Sequence, residues 1–96
     1  MVNPYIDKEG LRYFDVNQPV ENFVWHRDHE DRRITVLEGE NWKFQYDNQL
    51  PVNLNKGDII HVNKNEYHRI IKGDSNLVVK IEEKKWDLRN FTKHSK

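Results

Sequence analysis

Apolar side chains recur at every second position in several short runs of this chain, and turn-forming residues close each run. Trp42, Phe44 and Tyr46 form one such row, and Leu77, Val79 and Ile81 form another. A period of two marks a strand with one buried face. With the enrichment in β-branched and aromatic residues, it predicts strands near 10–16, 20–27, 32–38, 41–46, 50–54, 58–63, 67–72 and 76–82. Glu38-Gly39-Glu40-Asn41, Asp47-Asn48, Asn55-Lys56-Gly57 and Lys72-Gly73-Asp74 supply the turns between them. Only the tail after Lys84 hints at a helical period. Many short strands with tight turns point to an all-β sandwich or barrel.

Composition narrows this picture. Ninety-six residues make a single domain over 1–96, with a core of about 19–82, an N-terminal strand or arm over 1–18 and a C-terminal tail over 83–96. Hydrophobic residues are 35% and charged residues 33% of the chain, which fits a small barrel with a polar exterior. A homodimer is expected on the same grounds. The two ends carry Tyr5, Ile6, Leu11, Tyr13 and Phe14, and Trp86, Leu88 and Phe91. They would pack on their own barrel or cover a partner's open strand edge, and neither is expected to carry chemistry.

Charge and residue type then exclude functions. Lys plus Arg and Asp plus Glu are 16 each, so the net charge is zero and nucleic-acid binding is disfavoured. No basic amphipathic helix, long apolar run or signal-peptide core is present, so no membrane partner is expected and the expected address is the cytoplasm. Cysteine is absent, which removes disulfides and thiolate chemistry. The isolated glycines form no phosphate loop, and Ser75 and Ser95 sit in no nucleophile elbow.

The chemistry-bearing residues gather around two histidines. Trp25-His26-Arg27-Asp28 runs on to Val36-Leu37-Glu38-Gly39, and Gly57-Asp58-Ile59-Ile60 runs on to Tyr67-His68-Arg69. The pair resembles the two motifs of the cupin family. Anchored on Gly39, the first motif places its leading histidine at His26, its second histidine at Asp28, its glutamate at Arg32 and its opening glycine at Val20. Anchored on Gly57, the second motif places its histidine at His68, its Pro-x-Gly at Asn63 and Asn65, and its closing asparagine at Lys72. The resemblance spans about residues 19–82 and implies a small cupin-type β-barrel, also called a double-stranded β-helix or jelly roll. It also implies an interior metal held by the motif histidines.

The departures are physical. Asn65 in place of glycine is mild, because Asn tolerates left-handed backbone. Asp28 in place of histidine exchanges nitrogen for oxygen and keeps a ligand. Arg32 in place of glutamate sets a permanent cation where an anion would be. His26, Asp28 and His68 then make a metal triad of the kind non-haem iron oxygenases use, suited to iron, zinc, nickel or manganese. Activity, if present, would be metal-dependent and of the oxygenase or isomerase type. In the first of three readings, the triad binds metal while Arg32 turns aside or holds an anionic substrate. In the second, Asp28 pairs with Arg32 and a metal-free barrel binds a small polar or anionic ligand. In the third, the domain is an interaction or scaffold protein.

Trp42, Phe44 and Tyr67 are candidate pocket walls beside Arg32, although core packing is the plainer role for Tyr67 and Trp25. The row Trp42, Phe44 and Tyr46 also raises single-stranded nucleic-acid stacking as a lesser alternative. His61 reads as a core histidine, His29 and His94 as polar surface, and Glu82-Glu83 as solvated.

Overall fold

The structure, a computed structural model, describes residues 3–83. The predicted tail over 83–96, with its Trp86, Leu88, Phe91 and His94, lies outside the described residues apart from Glu83. Eight strands follow in chain order: β1 Tyr5–Lys8, β2 Leu11–Phe14, β3 Arg32–Glu38, β4 Trp42–Tyr46, β5 Val52–Leu54, β6 Ile59–Val62, β7 His68–Ile71 and β8 Leu77–Glu83. They form two antiparallel sheets, one ordered β1-β2-β8-β3-β6 and the other β5-β4-β7. No helix among the described residues is long and apolar enough to cross a membrane.

Period-two patterning builds the core between the sheets. Phe14, Val36, Trp42, Phe44, Leu54, Val62, Leu77 and Val79 are buried there. Trp42 is fully buried, packs on Phe14 and Phe23, and donates its indole N–H to the Ser75 carbonyl at 2.6 Å. Gly39 makes the β3–β4 turn with φ of 143°, where an added Cβ would lie 2.7 Å from the Leu77 side chain. Only glycine fits that corner.

Along β3 and β8 the inward row changes character. Val36 faces Val79 and Ile34 faces Ile81, but the last pair is Arg32 with Glu83. The barrel is therefore apolar at one end and charged at the other. The candidate site lies at the charged end.

Three expectations need correction. The strand predicted over 20–27 is instead a 3-10 turn at Val20–Asn22 followed by a single bridge from His26 to His68. Pro19 starts that turn, its carbonyl accepting the Asn22 N–H at 3.0 Å, and its fixed φ of −59° favours a turn over a ladder. The N-terminal arm carries a strand of its own, β1, joined to β2 by a two-residue turn. Glu9 and Gly10 there both have positive φ, at 55° and 83°, as a tight hairpin requires. His61 is exposed on the outer face of β6 while Val62 points inward, so it is no core histidine.

Candidate metal and ligand site

His68 opens β7 and points inward, stacked on Phe44 with ring centroids 5.5 Å apart. His26 reaches it across the isolated bridge. The His26 N–H bonds the His68 carbonyl at 3.0 Å and the His68 N–H returns to the His26 carbonyl at 2.9 Å. The two rings lie 4.4 Å apart, edge to face. Asp28 follows two residues later, and the Asn65 N–H fixes its backbone by bonding the Asp28 carbonyl at 2.7 Å. Asn65 has φ of 65°, the left-handed geometry that the family's glycine would supply.

Hydrogen bonding decides what these side chains present. His26 Nδ1 lies 3.1 Å from the Val24 carbonyl, and His68 Nδ1 lies 2.9 Å from the Glu66 carbonyl. A carbonyl oxygen can only accept, so each Nδ1 carries a proton, and in the neutral ring Nε2 is left with a bare lone pair. His68 Nε2 sits 3.4 Å from Asp28 Oδ2, so a lone pair faces a carboxylate. Two acceptors in that arrangement call for a proton or a cation between them. One ligand atom from each of His26, Asp28 and His68 can lie within 4.8 Å of the others. A metal about 2.1 Å from each ligand would draw them to roughly 3–4 Å apart, a small inward rotation. The donor set fits a divalent transition metal.

Arg32 completes the cluster. Its Nη1 lies 3.4 Å from Asp28 Oδ1, and its Nη2 donates to Glu83 Oε2 at 3.1 Å. Asp28 thus divides its two oxygens, one toward Arg32 and the other toward His68. Burial pushes the Asp28 carboxyl up. With both imidazoles protonated, the hydrogen bond from His68 and the charges of Arg32, His68 and His26 outweigh burial and hold it below the ordinary carboxylate value. Glu83 also answers the objection to a cation beside a metal, since two carboxylates flank the one guanidinium.

These residues border a cavity of about 300 Å³. His26, Asp28, Arg32, Phe44 and His68 line it, as the sequence proposes; Trp42 and Tyr67 do not. Trp42 lies deeper in the core. Tyr67 precedes the inward His68 of β7 and turns outward, Trp25 is exposed beside the isolated bridge, and Arg27 and Arg69 cover their rings at 5.3 and 4.5 Å. The row Trp42, Phe44 and Tyr46 faces inward, which leaves no exposed base-stacking surface on β4.

Sequence reasoning missed three contributors. Glu83 is exposed, as expected, but from the solvent side it pairs with Arg32 at 3.1 Å. Tyr5 and Arg12 bring the N-terminal hairpin into the cavity wall, against the expectation that the arm carries no chemistry. Arg12 is clamped by Asp7 at 2.7 and 3.0 Å and lies 3.7 Å over the Tyr5 ring. The period-two placement of Arg12 with Phe14 on β2 was the available signal.

No protein-family model matches this sequence, and neither does any curated protein. Solved structures do. A proposed mannose-6-phosphate isomerase from Ralstonia eutropha aligns with a TM-score of 0.59 at 20% identity, covering 84% of this chain and 80% of that one. A cupin domain from Bordetella pertussis aligns at 0.54 and 20% identity, over 88% of this chain and 99% of that one. A cupin-2 domain protein from Shewanella frigidimarina aligns at 0.52 and 19%, over 82% and 76%. The architecture is that of an all-β barrel with a cluster of polar side chains at one end. Specifically, this chain has the cupin fold.

Proposed function

We propose that this small cupin binds one divalent transition metal through His26, Asp28 and His68 and a small polar or anionic ligand in the adjoining cavity. The observation that carries the reading is the pair of Nδ1 contacts to the Val24 and Glu66 carbonyls, which leave Nε2 as the ligand atom of each neutral ring, with His68 Nε2 3.4 Å from the Asp28 carboxylate. Backbone carbonyls in that position commonly orient metal-binding histidines and raise their basicity. The ion, when bound, would supply a Lewis acid with open positions toward the cavity. Asp28 would serve as the anionic ligand, and Arg32 would orient it through the oxygen not used for binding. Phe44 would keep the His68 ring fixed and exclude water from its face.

Metal content of untagged protein, measured beside His26→Ala and His68→Ala, tests this reading. Near-stoichiometric iron, zinc, nickel or manganese in the wild type, absent from both variants, is expected. Wild type that stays metal-free after dialysis against each ion would overturn it. A second reading draws on the 3.4 Å contact of Arg32 with Asp28. There the ion pair replaces the metal and the cavity binds its ligand alone. Chelator-insensitive stability combined with ligand affinity that falls in Arg32→Ala would favour it.

A further inference from the structure

The cavity is two-faced. Phe14, Phe23, Ile34, Phe44, Ile70 and Ile81 give it hydrocarbon walls. Its charged lining is Arg12, Arg32 and Asp28, a balance of one positive charge. Asp7 and Glu83 stand on the solvent side, with side chains 58% and 38% exposed, where water screens them.

The two arginines are not equally engaged. Arg12 has a two-pronged bond to Asp7 and a stacked ring beneath it. Arg32 makes one contact to each of two carboxylates, at 3.4 and 3.1 Å, and its buried Nε–H has no acceptor among the described residues. A guanidinium offers a planar fork that suits a carboxylate edge to edge, and Arg32 lacks that arrangement. Turning its Nε edge toward the cavity would let an incoming carboxylate satisfy the orphan donor.

We infer that the cavity takes a small monocarboxylic acid with a hydrocarbon body, its carboxylate held by Arg32 and its body against the six apolar walls. The inference rests on the reading of this cavity as the ligand site, and not on metal occupancy. One net positive charge suits a monoanion better than a phosphate dianion. A water occupies about 30 Å³ of liquid, so the volume admits roughly ten non-hydrogen atoms. Phenylacetate has that size, and phenylacetamide is its neutral counterpart.

The test is titration of both compounds into chelator-treated and zinc-supplemented protein, followed by calorimetry and the methyl resonances of Ile34, Ile70 and Ile81. Phenylacetate is expected to bind about tenfold or more tightly than the amide, as a charge-assisted contact implies, and to move those methyls. In Arg32→Gln the difference between the two compounds should vanish while weak binding of both persists. If that variant does not fold, the wild-type comparison of acid with amide decides alone. Equal affinity for the two, shifts confined to surface residues, or no binding of either would overturn the inference. Metal uptake separates the two proposals. Acid binding by protein that takes up none of iron, zinc, nickel and manganese defeats the metal reading only, and uptake of any of them without acid binding defeats this one only.

Discussion

The same strands build both ends of this barrel, yet the two ends obey different rules. At the closed end Val36, Trp42 and Leu77 are fully buried, and a single polar atom among these side chains, the Trp42 indole nitrogen, has its partner in Ser75. At the open end β3 and β8 meet at Arg32 and Glu83, β7 begins with His68, and the Arg32 Nε–H has no acceptor among the described residues. Apolar packing at one end stabilises the fold and asks nothing of a ligand. Incomplete pairing at the other leaves groups that an ion or small molecule can satisfy. A 96-residue chain has few buried residues to spare, and here apolar packing and unsatisfied polar groups gather at opposite ends of shared strands.

The sharpest way to break the comparison is truncation at the closed end. Trp42→Ala should lower unfolding free energy by about 3–5 kcal/mol, read from the urea midpoint. An effect below about 1 kcal/mol would mean that the closed end does not carry the fold. At the open end, zinc at about one hundred times its dissociation constant should raise stability by about 2.7 kcal/mol. That gain should disappear with chelator and in His26→Ala or His68→Ala.

A smaller effect is expected outside the triad. Glu83→Gln removes the carboxylate that holds Arg32 Nη2 and should draw the guanidinium onto Asp28. Zinc affinity should fall about tenfold, the lower end of what lost outer partners cause, with the urea midpoint nearly unchanged. Unchanged zinc affinity would show that Glu83 merely sits at the rim.

The smallest effect concerns acid. The hydrogen bond from Arg12 holds the Asp7 carboxyl below its ordinary value, against the opposing pull of burial and with help from the charges of Arg12 and Arg32. A depressed carboxyl contributes stability in full above the ordinary carboxylate range and loses it as pH falls through the folded value. Thermal midpoints measured from about pH 5 downward should fall more gently in Asp7→Asn than in wild type. Parallel curves would remove Asp7 from the account.

Much of this architecture was legible because one buried face imposes a period of two on β3, β4 and β8. Gly39 and Gly57 anchored the motif comparison, and that comparison led to His26, Asp28 and His68. Other features depended on partners distant in sequence. Glu83 matters because β8 lies beside β3 in a register that pairs it with Arg32, and a bulge between Val36 and Glu38 helps set that pairing. No local pattern contains that information. The segment 20–27 misled because its apolar residues mimic a strand while Pro19 starts a turn. Tyr67 could have been placed correctly from parity alone, since the neighbour of an inward strand residue faces outward.

His68 belongs to a laddered strand, whereas a single bridge ties His26 to the sheet. An ion bound as proposed would therefore sit in a vice with one fixed jaw and one travelling jaw. Ions of different radius would be accommodated by displacement on the His26 side without distorting the sheet. Release would begin there too, making the departure rate a property of residues 23–28 and leaving β7 in place throughout.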